Sequence, residues 1–249
     1  MSFNGSIAGS GTTRTSLEFG RTHVVMPKGK HEATIVWLHG LGDKGSNLSQ
    51  LLESLPLPNV KWIFPTAPTR PVAAVGGFPC TAWFDVGDIS EDAPVDLECL
   101  DFSAAHIANL LSTKPADVKL CVAGFSMGAA TALYSATCHA FRKYGNGSLY
   151  RVNLRAAVGL GSWLPCSRTL RHQIQGVNDA GRRPASLPIL LCDDVVAYQH
   201  GEKSARVLSS SGFQNLTLRT YEGLGHYTIP EETDEICRWL SANLCLGGT

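Results

Sequence analysis

The sequence predicts a single-domain α/β fold, with a mainly parallel central sheet and helices on both of its faces. Short runs rich in β-branched residues alternate with stretches whose apolar residues recur at helical spacing. Several of these runs are apolar at consecutive positions, which is typical of strands buried on both sides of a parallel sheet. The chain has 249 residues, of which 44% are hydrophobic, and no break in composition marks a second domain.

The predicted elements follow one another in alternation. The strands are residues 22–26, 33–38, 60–64, 118–123, 155–160, 188–192 and 216–221. The helices are residues 96–112, 127–142, 202–211 and 231–244. In the first helix the apolar positions step by three and four, which predicts one buried stripe; they are Leu97, Leu100, Ala104, Ile107 and Leu111.

Three segments fall outside these elements. Residues 1–18 are rich in Gly, Ser and Thr, which predicts a flexible N-terminal arm before a domain that covers 19–249. The connections 65–94 and 163–187 exceed the roughly 2–6 residues usual in α/β units, and long connections at this edge commonly carry binding sites. Within 65–94, an apolar stretch lies between prolines and contains two glycines. It is either a loop packed on the core or a lid-like loop over a ligand groove.

Charge and cysteine content exclude several classes of function. The formal net charge is zero and only 17% of residues are charged, so nothing attracts a nucleic acid or an acidic membrane surface. No apolar run approaches the length of about 20 residues that spans a bilayer. The eight cysteines include no C-x-x-C pair, which favours reduced thiols over disulfides or a metal site. The N-terminus lacks the basic region followed by an apolar region that is typical of a secretory signal peptide, so we expect a cytoplasmic protein.

The strongest candidate for catalysis is the serine in the segment 124–128, Gly-Phe-Ser-Met-Gly. This G-x-S-x-G pattern follows a predicted strand and opens a predicted helix, which is the setting of a nucleophile elbow. The flanking glycines are expected where a strained serine backbone leaves no room for neighbouring side chains. The alternative is a tight strand-to-helix turn in which Ser126 has no chemical role.

A nucleophilic serine needs a base and an acid downstream of it. His226 lies in a glycine-flanked segment after the last predicted strand, whereas His139 and His200 fall within or at the start of predicted helices. Asp193 and Asp194 follow the preceding strand, and either can orient an imidazole, the other serving as a helix N-cap. The pattern therefore predicts His226 as the base and leaves the choice of aspartate open.

The segment 39–45, His-Gly-Leu-Gly-Asp-Lys-Gly, supports two interpretations. It fits the G-x-G-x-x-G pattern of dinucleotide-binding proteins, but no acidic residue ends the next strand, where such proteins bind the ribose. The same glycines suit an oxyanion loop, in which the N–H groups of Leu41 and Met127 face a developing alkoxide. We favour the oxyanion loop, which requires no cofactor.

These motifs resemble those of the acyl-protein thioesterase and lysophospholipase-like carboxylesterases of the α/β-hydrolases, in particular the plant-type members. The resemblance spans roughly residues 20–245. It rests on the segments 38–43 (LHGLGD), 64–71 (FPTAPTRP), 82–85 (AWFD), 124–128 (GFSMG), 161–165 (GSWLP) and 225–232 (GHYTIPEE). The resemblance implies that Ser126 is the nucleophile, His226 the base and Asp193 the acid.

The resemblance also implies a class of substrate. Family members cleave fatty-acyl thioesters on protein cysteines, and often lysophospholipids and short aryl esters. The segment 71–79 matches the loop that lines their acyl groove. The substrate-binding residues expected on this basis are Val72, Val75, Phe78, Trp83 and Trp163.

One departure from the family pattern falls at the acid. The family has Cys-His-Gly-x-x-Asp after this strand, whereas here Cys192 is followed directly by Asp193. The four residues that are absent correspond to a chain length of about 13 Å. We therefore expect a serine hydrolase acting on fatty-acyl thioesters and esters, with a short-chain carboxylesterase or a non-catalytic hydrolase-fold binder as alternatives.

Overall fold

The computed structural model describes residues 17–52, 55–89, 93–112, 117–168, 170, 186–194, 198–221, 227 and 229–247, with the backbone alone for 50–52, 193, 194, 198 and 199. The described strands form a seven-stranded sheet in the order β1-β3-β2-β6-β7-β8-β9, and β4 pairs with β5 in a separate hairpin. Only the edge strand β1 is antiparallel to its neighbour in the larger sheet; the other strand pairs in it are parallel. The prediction of a single-domain α/β fold with a mainly parallel sheet is confirmed.

Most predicted elements lie within two residues of the observed bounds; the helix predicted at 202–211 begins four residues earlier, and a first helix and a hairpin were not predicted. The strands are β1 His23–Val25, β2 Ala33–Leu38, β3 Val60–Phe64, β4 Thr69–Val72, β5 Phe78–Thr81, β6 Lys119–Phe125, β7 Leu154–Leu160, β8 Ile189–Asp194 and β9 Leu216–Tyr221. The helices are α1 Gly45–Leu52, α2 Leu97–Ser112, α3 Met127–Phe141, α4 Tyr198–Ser210 and α5 Pro230–Asn243.

Both faces of the large sheet are covered, because its central strands alternate their side chains between two apolar clusters. Within β2, Val36 and Leu38 belong to the cluster that includes residues of α2, α3 and α4. Ile35 and Trp37 belong to the opposite cluster, which includes residues of α5. The sheet is therefore the middle of three layers, and the carboxyl ends of the parallel strands meet at one edge.

The long connection 65–94 contains more regular structure than its composition indicates. Its stretch 69–81 is the β4–β5 hairpin, in which Arg70 pairs with Cys80 and Val72 with Phe78. A single 3₁₀ turn follows β4, and Gly76 and Gly77 reverse the chain with φ of 70° and 80°. All but the last two residues of the predicted N-terminal arm, 1–18, and most of the connection 163–187 lie outside the described residues.

In the part of the chain that the structure describes, no helix combines the length and apolar character needed to cross a bilayer. Four of the eight free cysteines are buried, and those are Cys121, Cys138, Cys192 and Cys237.

Candidate active site

Ser126 occupies the sharp turn between β6, the central strand, and α3. Its backbone has φ 53° and ψ −120°, a combination that residues with a side chain rarely adopt and that stores strain. The Ser126 N–H donates to the carbonyl oxygen of Leu160 at the end of β7 (2.8 Å), and its own carbonyl accepts the first helical bond from Ala130 (3.0 Å). The backbone on both sides of the serine is thus held in the nucleophile-elbow geometry predicted from the sequence.

The two glycines of the motif are required by close backbone contacts. A Cβ atom added to Gly124 would lie 2.6 Å from the carbonyl oxygen of Gly128. One added to Gly128 would lie 2.5 Å from the carbonyl oxygen of His39 and would also contact Leu38. Because real Cβ atoms essentially never approach other atoms within 3.0 Å, each glycine permits a packing that no other residue allows. The first contact lets the turn close, and the second lets α3 pack on the end of β2.

The segment after β2 runs beside the nucleophile. A Cβ at Gly40 would lie 3.5 Å from the Cβ of Ser126. The Asp43 N–H donates to the Gly40 carbonyl (3.3 Å), and this tight turn depends on a φ of 77° at Gly42, which favours glycine. Leu41, at the tip, is half-buried. The turn therefore brings the Gly40–Leu41 peptide close to Ser126, as an oxyanion loop requires.

The second expected oxyanion donor follows the serine directly. Met127 is the first residue of α3 and its side chain is buried. The first four N–H groups of an α-helix have no partner within the helix, and the helix dipole makes this end attractive to negative charge. The start of α3 can therefore stabilise an alkoxide formed next to Ser126.

His39, at the start of the same loop, is completely buried. The Ala67 N–H donates to its Nε2 (3.0 Å), and its Nδ1 lies 2.7 Å from the carbonyl oxygen of Gly40. Burial lowers the pKa of His39, while the hydrogen bond to the Gly40 carbonyl has a smaller, opposing effect. The imidazole is therefore neutral at physiological pH, and both of its nitrogens are hydrogen-bonded to backbone.

Two threonines fix the rest of the loop. The Thr66 hydroxyl accepts from the Gly45 N–H at the start of α1 (3.1 Å) and donates to the carbonyl of Arg21 (2.9 Å). Thr81, at the end of β5, accepts from Gly42 through its carbonyl (2.9 Å) and donates to the Asp43 carbonyl. Sequence reasoning missed His39, Thr66 and Thr81, although the polar residues of the LHGLGD and FPTAP segments marked where to search.

Both candidate acids lie within β8 rather than after it. The strand continues through Asp193 and Asp194, which pair in register with Thr220 and Tyr221 of β9. The chain position of Asp193 is two strands from that of Ser126, since the local order is β6-β7-β8, or about 10 Å at the usual spacing of strands. His226, the predicted base, lies outside the described residues; it belongs to the stretch between β9 and α5.

His139 and His200, which were not predicted to be the base, lie in helices. His139 lies within α3, as expected, and its Nδ1 donates to the carbonyl of Val152 (3.0 Å). His200 lies in the first turn of α4, which begins four residues earlier than predicted.

The residues expected to bind substrate are divided between the core and the surface. Val72 and Trp83 are buried, and the Trp83 indole donates to the His39 carbonyl (2.8 Å). Val75 and Phe78 are on the β4–β5 hairpin, with exposed fractions of 40% and 74%. The hairpin therefore exposes apolar side chains, while its base is part of the packed core.

Asp96 anchors this hairpin to α2. One of its carboxylate oxygens accepts from the Arg70 guanidinium of β4 (2.9 Å) and from the Asp85 N–H (2.9 Å). The other caps the start of α2 at the Cys99 N–H (3.2 Å). The Asp85 carboxylate in turn accepts from the Ala73 N–H, where the 3₁₀ turn begins (2.8 Å).

A cavity of about 670 Å³ lies between the segment after β5, the segment after β7, and α4. Its walls are partly apolar, with Phe84, Val86, Trp163 and Leu164, and partly polar, with Asp85, Lys203 and His200. Of the five residues expected to bind substrate, Trp163 lines this cavity, whereas Val72, Val75, Phe78 and Trp83 do not. Trp163 contacts Phe84 edge to face, with ring centroids 6.1 Å apart.

The chain is similar to known proteins over most of its length. Residues 20–244 match the model of the phospholipase/carboxylesterase family. The chain belongs to this family. Membership favours the oxyanion-loop interpretation of residues 39–45 over the dinucleotide-binding one, and it assigns the α/β-hydrolase fold and hydrolytic activity to the chain.

Individual relatives agree with the family assignment. The solved structure of maize acyl-protein thioesterase 2 is 65% identical, with a TM-score of 0.87, and the match covers 90% of this chain and 99% of that one. A protein named acyl-protein thioesterase 1 from Gibberella zeae is 28% identical over 233 residues, covering 86% of this chain and 92% of the relative. A probable carboxylesterase of rice is 26% identical, with coverages of 86% and 79%.

No group of three or more His, Cys, Asp or Glu side chains capable of holding a metal ion occurs within the described ranges.

Proposed function

We propose that this protein is a serine hydrolase that cleaves fatty-acyl thioesters of protein cysteines, and carboxylic esters, through an acyl-enzyme. Ser126 Oγ attacks the acyl carbonyl, and the thiolate or alkoxide leaves as the acyl group is transferred to the serine. Water then attacks the acyl-serine and releases the fatty acid. His226 takes the proton from Ser126 and gives it to the leaving group; it later takes a proton from the water and gives it to Ser126 Oγ as the acyl–serine bond breaks.

The observation that carries this proposal is the backbone of Ser126. Its φ of 53° is maintained by the close contacts at Gly124 and Gly128, and Gly40 packs beside it. Strain of this kind persists only where the surrounding structure enforces it. A strained serine at a helix start, next to the Gly40–Leu41 peptide of the oxyanion loop, is suited to acyl transfer.

The third member of the proposed triad is Asp193, with Asp194 as its alternative. Their position at the carboxyl end of β8, beside β9, supports a contact with the segment that contains His226. A carboxylate at this place would hold the imidazole in one tautomer and stabilise the imidazolium that forms during attack. Because β8 itself extends through both aspartates, the chain reaches this edge without the four residues present in the family pattern.

The thioester substrate is proposed from the relatives, several of which are named acyl-protein thioesterases. The cavity beside Trp163 is within the range of roughly 300–1,000 Å³ common for small-molecule sites, and we assign the acyl chain to it. The hairpin is bonded to two residues of its wall, since Ala73 donates to Asp85 and Ala74 to the Val86 carbonyl. This connection supports a role for the exposed Val75 and Phe78 in meeting an acyl chain as it enters.

Replacing the nucleophile tests the proposal. We expect Ser126→Ala to lower kcat for a p-nitrophenyl ester and for a long-chain acyl thioester by about 10⁴-fold or more, with an unchanged urea midpoint. Ser209→Ala, which removes an exposed hydroxyl on α4, is the matched control and should have no effect. Full activity of Ser126→Ala would contradict the proposal.

Two further measurements address the alternatives. A folded wild-type protein that a fluorophosphonate fails to label would favour the non-catalytic binder, because labelling needs an activated serine. A kcat/KM that is higher for the short-chain ester than for the long-chain thioester would favour a general carboxylesterase. The cytoplasmic location stays a prediction, which a fluorescent fusion of the full chain would test.

A further inference from the structure

The backbone and the side chain of His39 are held by different partners. Its carbonyl oxygen already accepts from the Trp83 indole (2.8 Å), and Trp83 is itself held by Ser103, whose hydroxyl donates to the Trp83 carbonyl (2.5 Å). The imidazole is fully buried, and it links two backbone segments that are 27 residues apart in the chain, through Gly40 and Ala67. Two separate sets of bonds thus hold the backbone and the ring.

The neighbours of the ring determine its tautomer. The Ala67 N–H can only donate, so Nε2 must be the unprotonated nitrogen. The Gly40 carbonyl can only accept, so Nδ1 must carry the proton and donate it over 2.7 Å. A cationic ring would lose the bond from Ala67, and burial already lowers the pKa of His39. The neutral ring with its proton on Nδ1 is the one form that satisfies both partners.

The bond to Gly40 acts on a peptide that the reaction uses. The Gly40 carbonyl and the Leu41 N–H belong to one planar trans peptide and point in opposite directions. Fixing the oxygen therefore fixes the direction of the N–H. The Gly40 oxygen also accepts from the Asp43 N–H, but over a longer 3.3 Å, which leaves His39 as the closer of its two donors.

We propose that His39 is a positioning residue for the oxyanion hole, which aims the Leu41 N–H at the reacting carbonyl by holding the Gly40 carbonyl oxygen through Nδ1. The inference rests on the proposed function, since it needs Ser126 to form a tetrahedral intermediate. His39 itself touches no substrate. It acts on kcat through the orientation of one peptide group.

Two substitutions separate the two bonds of the ring. In His39→Asn, the side-chain amide can take the place of Nδ1–H and donate to Gly40, while the bond from Ala67 is lost. In His39→Gln, the longer side chain can accept from Ala67 in place of Nε2, while the donation to Gly40 is lost. Both variants remove one buried hydrogen bond and leave one, so similar losses of stability are expected in urea.

The kinetic results should differ between them. A misdirected oxyanion donor costs about 10- to 100-fold, so we expect His39→Gln to lower kcat for a p-nitrophenyl ester by this factor with KM changed less than about threefold. His39→Asn should recover most of that loss. Equal kcat values for the two variants, or a wild-type kcat in His39→Gln, would overturn the proposal.

Two controls complete the test. Tyr134→Phe breaks another buried bond, the one from the tyrosine hydroxyl to Asp101, and should lose stability without losing kcat; a matching loss of kcat would assign the His39 effect to instability. A parallel measurement of Ser126→Ala separates a failure of the proposed function from a failure of the proposed role of His39. An active Ser126→Ala contradicts the proposed function, whereas an inactive one beside a fully active His39→Gln contradicts only the role of His39.

The tautomer provides a readout that needs no substitution and stays available if neither variant folds. Long-range ¹H–¹⁵N spectra of the wild-type protein at neutral pH should show His39 neutral and protonated on Nδ1. A proton on Nε2, or a cationic ring, would overturn the proposal.

Discussion

The contact between α3 and the end of β2 makes Gly128→Ala the most direct structural test of the site. In most helices this substitution stabilises the protein by about 1 kcal/mol, because alanine has the higher helix propensity. Here the added Cβ would lie 2.5 Å from the His39 carbonyl oxygen, against 3.4 Å for an ordinary contact. The start of α3 and the oxyanion loop would have to separate by about 0.9 Å.

Both sides of this contact are buried backbone, so neither can move aside cheaply. Overpacking of this kind typically costs about 1–3 kcal/mol, which outweighs the gain in propensity. A displacement near 1 Å between catalytic groups can also cost about 100-fold in rate. We therefore expect Gly128→Ala to unfold at lower urea concentration and to lose about 100-fold in kcat for a p-nitrophenyl ester.

Gly247→Ala is the matched control, because Gly247 is exposed and its nearest contact would be the carboxylate end of Glu32 at 3.3 Å. It should change neither the urea midpoint nor kcat noticeably. A Gly128→Ala variant that is as active as wild type and more stable would contradict this expectation. In that case the added Cβ would not be in steric conflict with the His39 carbonyl.

Two further predictions concern stability and access to the cavity. Asp96→Asn should weaken the contact with Arg70 and loosen the β4–β5 hairpin. Steady-state kinetics should show a rise in KM for a long-chain thioester that is larger than the change in kcat. Equal KM values in variant and wild type would contradict this role of Asp96. Burial lowers the pKa of His39, His106 and His139, so the unfolded chain binds more protons and the free energy of unfolding should fall as pH drops below about 6.5. The free energy of unfolding should fall by at most about 1.4 kcal/mol per pH unit for each histidine. Urea titrations in which this free energy does not decrease between pH 7 and pH 5 would contradict the prediction.

Much of the sheet is predictable from the sequence, because its central strands are buried on both faces. The edge strand β9, which is only partly buried, matches the predicted 216–221, and the buried strands β2 and β3 match the predicted 33–38 and 60–64. Runs of consecutive apolar residues mark such strands whatever surrounds them. The helices α2, α3 and α5 likewise agree within one residue at each end.

Helix α1 and the β4–β5 hairpin were not predicted, and the ends of β8 and α4 were misplaced. In the hairpin and in β8, long-range contacts outweigh local preference. The β4–β5 hairpin contains Pro71 and Pro79 in a registered pair, and proline discourages the assignment of a strand. Aspartate is also rare in strands, yet β8 continues through Asp193 and Asp194 because β9 offers a parallel partner at both positions. Helix α4 begins at Tyr198 despite Gly201 in its first turn.

At the site, motif spacing predicted the sharp turn at Ser126, and the structure has that turn; the role of Ser126 as nucleophile stays a prediction. The contribution of His39 was not predictable, because a buried histidine gives no sequence signal of which backbone groups it bonds. The assignments of His226 and Asp193 stay predictions. The cavity beside Trp163 is formed by three separated segments, so only the folded chain brings its walls together.

The proposed function depends on an acyl-enzyme intermediate, and mass spectrometry of the quenched protein detects this intermediate most directly. The wild-type protein is mixed with a p-nitrophenyl ester, quenched in acid within the first turnovers, and digested to locate any adduct. We expect an added acyl mass on the peptide that contains Ser126, and none in Ser126→Ala. Rapid ester hydrolysis with no adduct on this serine, or an adduct on another residue, would contradict it.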